Sequence, residues 1–121
     1  MFRLETSTQH GVPVIQIFGN LDFGSARRLE ETIQRLAQEN VRPDLLIDLA
    51  HSQMVDSAGL GILVKSHRAC LERGGTLKLT GINDKIAKLL GVTHLNGLFE
   101  IYEDLASGVA AFAQRGNSTI S

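Results

Sequence analysis

Residues Val55 to Gly61 read V-D-S-A-G-L-G, which places a hydroxyl (Ser57) directly after a carboxylate (Asp56) and just ahead of a glycine pair spaced G-x-G. The segment lies between an apolar run that reads as a strand and a stretch with helical periodicity, and a serine at such a junction has four chemistries open to it. As the N-cap of a helix starting at Ala58 or Gly59, its oxygen accepts a first-turn backbone N–H. As a hydrolase nucleophile it would need a G-x-S-x-G elbow with a histidine and an acid; here the elbow reads D-S-A-G, and the spacing of His67 and His94 supports no such role. As part of a dinucleotide loop, Gly59-Leu60-Gly61 lacks the third glycine, where Val64 stands. As a phosphate acceptor it is well placed, because free N–H groups and the positive end of the helix dipole receive roughly two added negative charges without breaking the fold.

Capping and phosphorylation are compatible, and the neighbouring carboxylates show what a phosphate would change. Asp22 belongs to a second loop, G-N-L-D, which the expected topology brings toward Asp56. A phosphate on Ser57 beside these two carboxylates makes a strongly acidic patch, which a partner fitted to the neutral hydroxyl rejects. Met54 and Leu60 would supply the apolar part of a docking surface if exposed, and would belong to the core if buried. Asp48 near a strand end is expected to hydrogen-bond loop amides. His67 and Cys70, spaced H-x-x-C, have no second ligand pair and read as core residues, while His10, His51 and His94 read as surface or loop. Neither a metal nor a cofactor is expected.

The elements that must position these residues follow from periodicity. Phe2 to Gln9 and Val12 to Phe18 read as strands joined through His10-Gly11 into an antiparallel hairpin, with Pro13 near the start or a free edge of the second. Ala26, Leu29, Ile33, Leu36 and Ala37 form one stripe of an amphipathic helix from Gly24 to about Asn40, with Asp22 or Ser25 as cap. Leu45 to Leu49 is apolar on both faces except Asp48, as expected of a central parallel strand. A second helix runs to about Arg73, with Leu60, Leu63, Val64, His67 and Leu71 on its buried stripe, and Gly74-Gly75 ends it. Thr76 to Thr80 alternates and reads as a strand with one more polar face. A helix over Asp84 to Leu90, a strand around Leu98 to Tyr102 and a helix from Asp104 to Gln114 complete the order, leaving 115–121 as a disordered tail. The expected architecture is α/β: a single domain over residues 1–114, a mixed central sheet of about four to five strands with about four helices packed against it. Right-handed crossovers then put the loop after Leu49 at the carboxyl end of a central strand, where α/β proteins tend to carry function.

Composition narrows the partners. The 121 residues carry 12 basic and 13 acidic side chains in no like-charged block, for a formal net charge of −1. That argues against nucleic-acid binding through phosphate neutralisation and against a polybasic membrane anchor. Cys70 is the single cysteine, so no internal disulfide can form. No apolar run approaches the about 18 residues of a membrane span, and M-F-R-L-E-T-S-T-Q-H is too polar for a signal peptide. A cytoplasmic protein that meets other proteins or small ligands is expected.

G-N-L-D at Gly19 to Asp22, L-L-I-D-L at Leu45 to Leu49, V-D-S-A-G-L-G, and L-x-x-G-G-x-L from Leu71 to Leu77 together resemble a STAS domain, and more narrowly the bacterial anti-sigma factor antagonists, over about Phe2 to Phe112. The resemblance implies a STAS-like fold and a non-enzymatic regulator. Ser57 is then the phosphoacceptor of an anti-sigma factor that is itself a serine/threonine kinase. It also implies that Asp22, Asp56, Gly59, Leu60 and Gly61 face this partner, and Met54 and Ala58, which flank them in the chain, are expected to join the same surface. Unphosphorylated, such a protein binds the kinase and frees a sigma factor; phosphorylation ends the association, and a PP2C-type phosphatase restores it. Many members carry a second serine where this chain has Ala58, and His51, Ser52 and Gln53 make the preceding loop more polar than expected. Weak or no homo-oligomerisation is anticipated. The alternative role within the same fold is a scaffold subunit of a stressosome-like or membrane lipid-transport complex.

Overall fold

The computed structural model describes residues 1–118. His10 and Gly11 both take positive φ, 52° and 79°, the backbone that a two-residue hairpin turn requires to follow the twist of its strands. They join β1 (Arg3–Gln9) to β2 (Val12–Phe18), paired antiparallel from Arg3↔Phe18 to Gln9↔Val12. Helix α1 (Ala26–Gln38) then returns the chain so that β3 (Asp44–His51) lies parallel to β2. The same crossover repeats through α2 (Ser57–Glu72) to β4 (Thr76–Thr80), and through α3 (Asp84–Val92) to the short β5 (Ile101–Tyr102), before α4 (Leu105–Ser118). The strand order is β1-β2-β3-β4-β5, so β3 is central, as its two-sided apolar character predicts.

Because side chains alternate across a strand, each strand feeds two cores. On one face Ile15, Ile17, Leu45, Ile47, Leu49, Leu77 and Leu79 pack against Leu29 and Ile33 of α1, Leu60 and Leu63 of α2, and Ile86 and Leu90 of α3. On the other, Val12, Val14 and Leu46 meet Val109 and Phe112 of α4. Asp48 is buried on this second face. Its carboxylate accepts hydrogen bonds from the Gln16 amide, the Thr80 hydroxyl and the Ala50 N–H, each at 3.1 Å, so neither oxygen is left without a partner.

Three features are set by tertiary packing. The more polar face of β4 is turned inward: Lys78 and Thr80 are both buried under α4. The Lys78 ammonium lies over the rings of Tyr102 and Phe112 and meets the carboxylate of Glu100, which remains largely exposed. On α2, Leu71 is half exposed, and Ser66 and Cys70 take the inward positions. Steps of about 3.6 residues from Leu63 arrive at Ser66-His67 and then Cys70, which rotates Leu71 outward. The last helix extends to Ser118, beyond Gln114; of the tail expected at 115–121, residues 119–121 lie outside the described residues.

Candidate functional site

At the carboxyl end of the sheet, the loops after β2 and β3 are zipped together by main-chain hydrogen bonds. Gly19 N–H donates to the His51 carbonyl (3.1 Å), Leu21 N–H to the Met54 carbonyl (3.0 Å), and Asp56 N–H to the Leu21 carbonyl (3.0 Å). Leu21 and Val55 form an isolated parallel bridge, and both side chains are buried. This pairing holds Asp56 in an extended conformation (φ −95°, ψ −175°), and helix α2 begins at the next residue.

The helix is capped by Asp56. Its Oδ1 accepts the Gly59 N–H at 2.9 Å and its Oδ2 accepts the Phe23 N–H at 3.0 Å, so one carboxylate closes the helix start and clamps the neighbouring loop. This corrects the reading of Ser57 as N-cap. Both residue types suit the position, but the Leu21–Val55 bridge fixes which residue is extended, and that residue is Asp56. Ser57 is instead the first helical residue, exposed, and its hydroxyl makes no hydrogen bond to any described residue. The first-turn amides of Ser57 and Ala58 have no intrahelical acceptor, so the hydroxyl stands at the positive end of the helix.

Asp22 follows Leu21 as Asp56 follows Val55, so the bridge sets these two residues on adjacent strands of backbone. The Asp22 Oδ1 accepts the Ser25 N–H at 3.1 Å, while the Ser25 hydroxyl accepts the Asp22 N–H (2.9 Å) and donates to the Asn20 carbonyl (2.8 Å). Ser25 occupies the N-cap position of α1, yet its hydroxyl is committed to the loop and does not cap the helix. The loop that carries Asp22 is therefore held internally as well as by Asp56.

Among the expected partner-facing residues, Asp22, Met54, Asp56, Ala58 and Gly61 are fully or partly accessible, and Met54 is 45% exposed. Gly59 and Leu60 are not. Leu60 lies in the core, and a Cβ on Gly59 would come within 2.5 Å of the Leu21 carbonyl oxygen, so this glycine serves the close approach of helix and loop. Gly61 is exposed, and a Cβ there would meet nothing within 4 Å. One residue of the site escaped the sequence reading: Phe23, 86% exposed beside Asp22. Its only signal was negative, an aromatic that fits no helical or strand stripe.

The other reactive side chains lie elsewhere. His67 is buried in the core, where its Nδ1 accepts the Leu77 N–H at 3.4 Å and its ring meets Phe99; burial pulls its pKa below the usual value. Burial also pushes the Cys70 thiol up to about 11, which leaves it an unreactive core group. The geometry thus presents the Ser57 hydroxyl, exposed and without a hydrogen-bond partner among the described residues, directly after the committed carboxylate of Asp56. Among the described residues, no helix is long and apolar enough to cross a membrane.

The fold has counterparts among known proteins. The family model of the STAS domain matches residues 3–108. The anti-sigma-B factor antagonist of Staphylococcus aureus (strain NCTC 8325 / PS 47) is 30% identical over 101 residues, covering 84% of this chain and 93% of the relative. Among solved structures, an anti-sigma-factor antagonist (STAS) domain protein from Planctomyces limnophilus superposes with a TM-score of 0.84 at 21% identity, covering 91% of this chain and 97% of the other. The Bacillus cell fate determinant SpoIIAA in its phosphorylated form superposes with a TM-score of 0.71 at 19% identity, covering 93% and 99%.

Proposed function

The chain belongs to the STAS domain family, and on that premise we propose that it is an anti-sigma factor antagonist switched by phosphorylation of Ser57. Unphosphorylated, it binds an anti-sigma factor that is a serine/threonine kinase, and the sigma factor held by that kinase is released. The γ-phosphoryl group of ATP then passes to the Ser57 oxygen, the hydroxyl proton is lost, ADP leaves, and the complex separates. A PP2C-type phosphatase hydrolyses the phosphoester and returns the protein to its binding form. All of this takes place in the cytoplasm, and the antagonist itself catalyses nothing.

The observation that carries this reading is the exposed, unbonded hydroxyl of Ser57 at the first residue of α2, directly after a carboxylate already committed to two amides. Added charge at that point is accommodated by the helix end, while Asp56 and Asp22 make the surface around it still more acidic. Docking changes and the architecture does not. Relatives named anti-sigma-B factor antagonist support the assignment.

The test is incubation with the anti-sigma kinase encoded in the same genome and with ATP, followed by mass spectrometry. Phosphate is expected on Ser57. Ser57→Ala should remain bound to the kinase whether or not ATP is present, and Ser57→Asp should bind poorly. Phosphate absent from Ser57, or Ser57→Asp binding as tightly as the unmodified chain, overturns the proposal.

A further inference from the structure

Six large apolar side chains are strongly exposed among the described residues, and their distribution is uneven. Met1 is at the chain start, Val41 lies before β3, and Leu71 and Val92 sit at or near the carboxyl ends of α2 and α3. Phe23 and Met54 both belong to the zipped loop pair that carries Ser57, and the chain start at Met1 lies against Gly19 of the same pair. An exposed aromatic on a loose segment would mean little, but Phe23 is held. Its N–H is bound to Asp56 at 3.0 Å, and the preceding residues Leu21 and Asp22 are tied to Met54 and Ser25.

We propose that Phe23 is the apolar anchor by which the kinase holds this protein, with Met54 completing the same apolar contact. The inference rests on the reading of Ser57 as phosphoacceptor and adds the residue that determines affinity. An enzyme acting on Ser57 must lie over it. A protein–protein footprint of about 800 Å² on each partner corresponds to a disc of about 16 Å radius. Summing the bonds from Ser57 through the Asp56 carboxylate to the Phe23 amide puts the two Cα atoms within roughly 12 Å, inside that disc. The exposed ring therefore lies within reach of a partner docked over the serine.

With its backbone already held, Phe23 has only side-chain freedom to lose on docking, and aromatic residues of this kind dominate binding energy where a partner pocket receives them. The partner surface this fits is an apolar pocket flanked by basic groups, the first for Phe23 and Met54 and the second for Asp22 and Asp56. The two contributions separate by salt: the acidic contacts weaken as ionic strength rises, and the apolar anchor does not.

The test uses the full chain with the purified kinase and ATP. Phe23→Ala should weaken binding at least about ten-fold, as expected for loss of an anchor residue. It should raise KM for phosphorylation by a similar factor while kcat stays within about two-fold, because Phe23 supplies binding that is common to ground and transition states. Phe23→Tyr should restore most of the loss, the ten-fold difference should persist at high salt, and Leu71→Ala, at the far end of α2, should change nothing. Phe23 buries almost no area within its own chain, so the urea midpoint of Phe23→Ala should match that of the unmodified protein, which removes misfolding as an explanation. Phosphorylation of Phe23→Ala with unchanged KM and affinity overturns the anchor while leaving Ser57 as acceptor; an unmodified chain that neither binds the kinase nor takes phosphate overturns both.

Discussion

At the scale of single residues, Asp56 and Ser57 divide the work that one serine was expected to do. Asp56 caps α2 and clamps the loop after β2, so removing its carboxylate leaves two amides without their acceptor. Asp56→Ala should cost about 1–2 kcal/mol, read from urea unfolding, and Asp56→Asn, which keeps one acceptor oxygen, should recover part of that. Ser57, by contrast, contributes nothing to the fold that its hydroxyl could lose. Ser57→Ala should leave stability within about 0.5 kcal/mol, so any effect of that substitution on partner binding reports on the surface alone. Equal destabilisation by the two alanine substitutions would contradict the assignment of the cap.

At the scale of elements, the two glycines that open α2 have opposite meanings. Gly59 is where the helix presses on the backbone of the neighbouring loop, and a Cβ there would meet the Leu21 carbonyl oxygen at 2.5 Å. Gly59→Ala should therefore destabilise by about 1–3 kcal/mol or more through overpacking. Gly61 is helical and faces open space, so Gly61→Ala should stabilise by about 0.5–1 kcal/mol, by lowering the entropy of the unfolded chain. Thermal unfolding of the two variants should show shifts of opposite sign. The G-x-G spacing that suggests a nucleotide loop is thus accounted for by helix packing at one position and by surface at the other.

At the scale of the whole molecule, stability depends on groups far from the site. His67 is held neutral by burial, with its folded pKa below the ordinary value of about 6.5. Below that pH the unfolded chain binds a proton that the folded chain refuses, so stability falls as pH falls and is fully present only above the unfolded value. Urea midpoints should drop between about pH 7.5 and about pH 5, and His67→Gln should flatten that dependence. The helix α4 that covers the second face of the sheet is docked partly through buried Lys78. Lys78→Met should be neutral or mildly stabilising, since it removes the desolvation cost and keeps a long unbranched side chain in the buried space, whereas Lys78→Ala should destabilise by leaving a cavity.

The pattern of residues by itself determined the order of strands and helices, the hairpin at His10-Gly11, the central place of β3 and the strand-loop-helix setting of Ser57. Each of these rests on information local to the chain: alternation, the period of a helix, and turn residues. Tertiary structure alone decided that Asp56 rather than Ser57 caps α2, that Gly59 and Leu60 face inward, that Lys78 is buried, and that Phe23 is clamped to Asp56, the residue before the serine. These depend on contacts between residues far apart in sequence. Leu21 meeting Val55 sets the cap, α4 folding over β4 buries Lys78, and the Asp56 carboxylate reaching the Phe23 amide joins the two loops; no local pattern encodes which of several chemically acceptable neighbours will arrive.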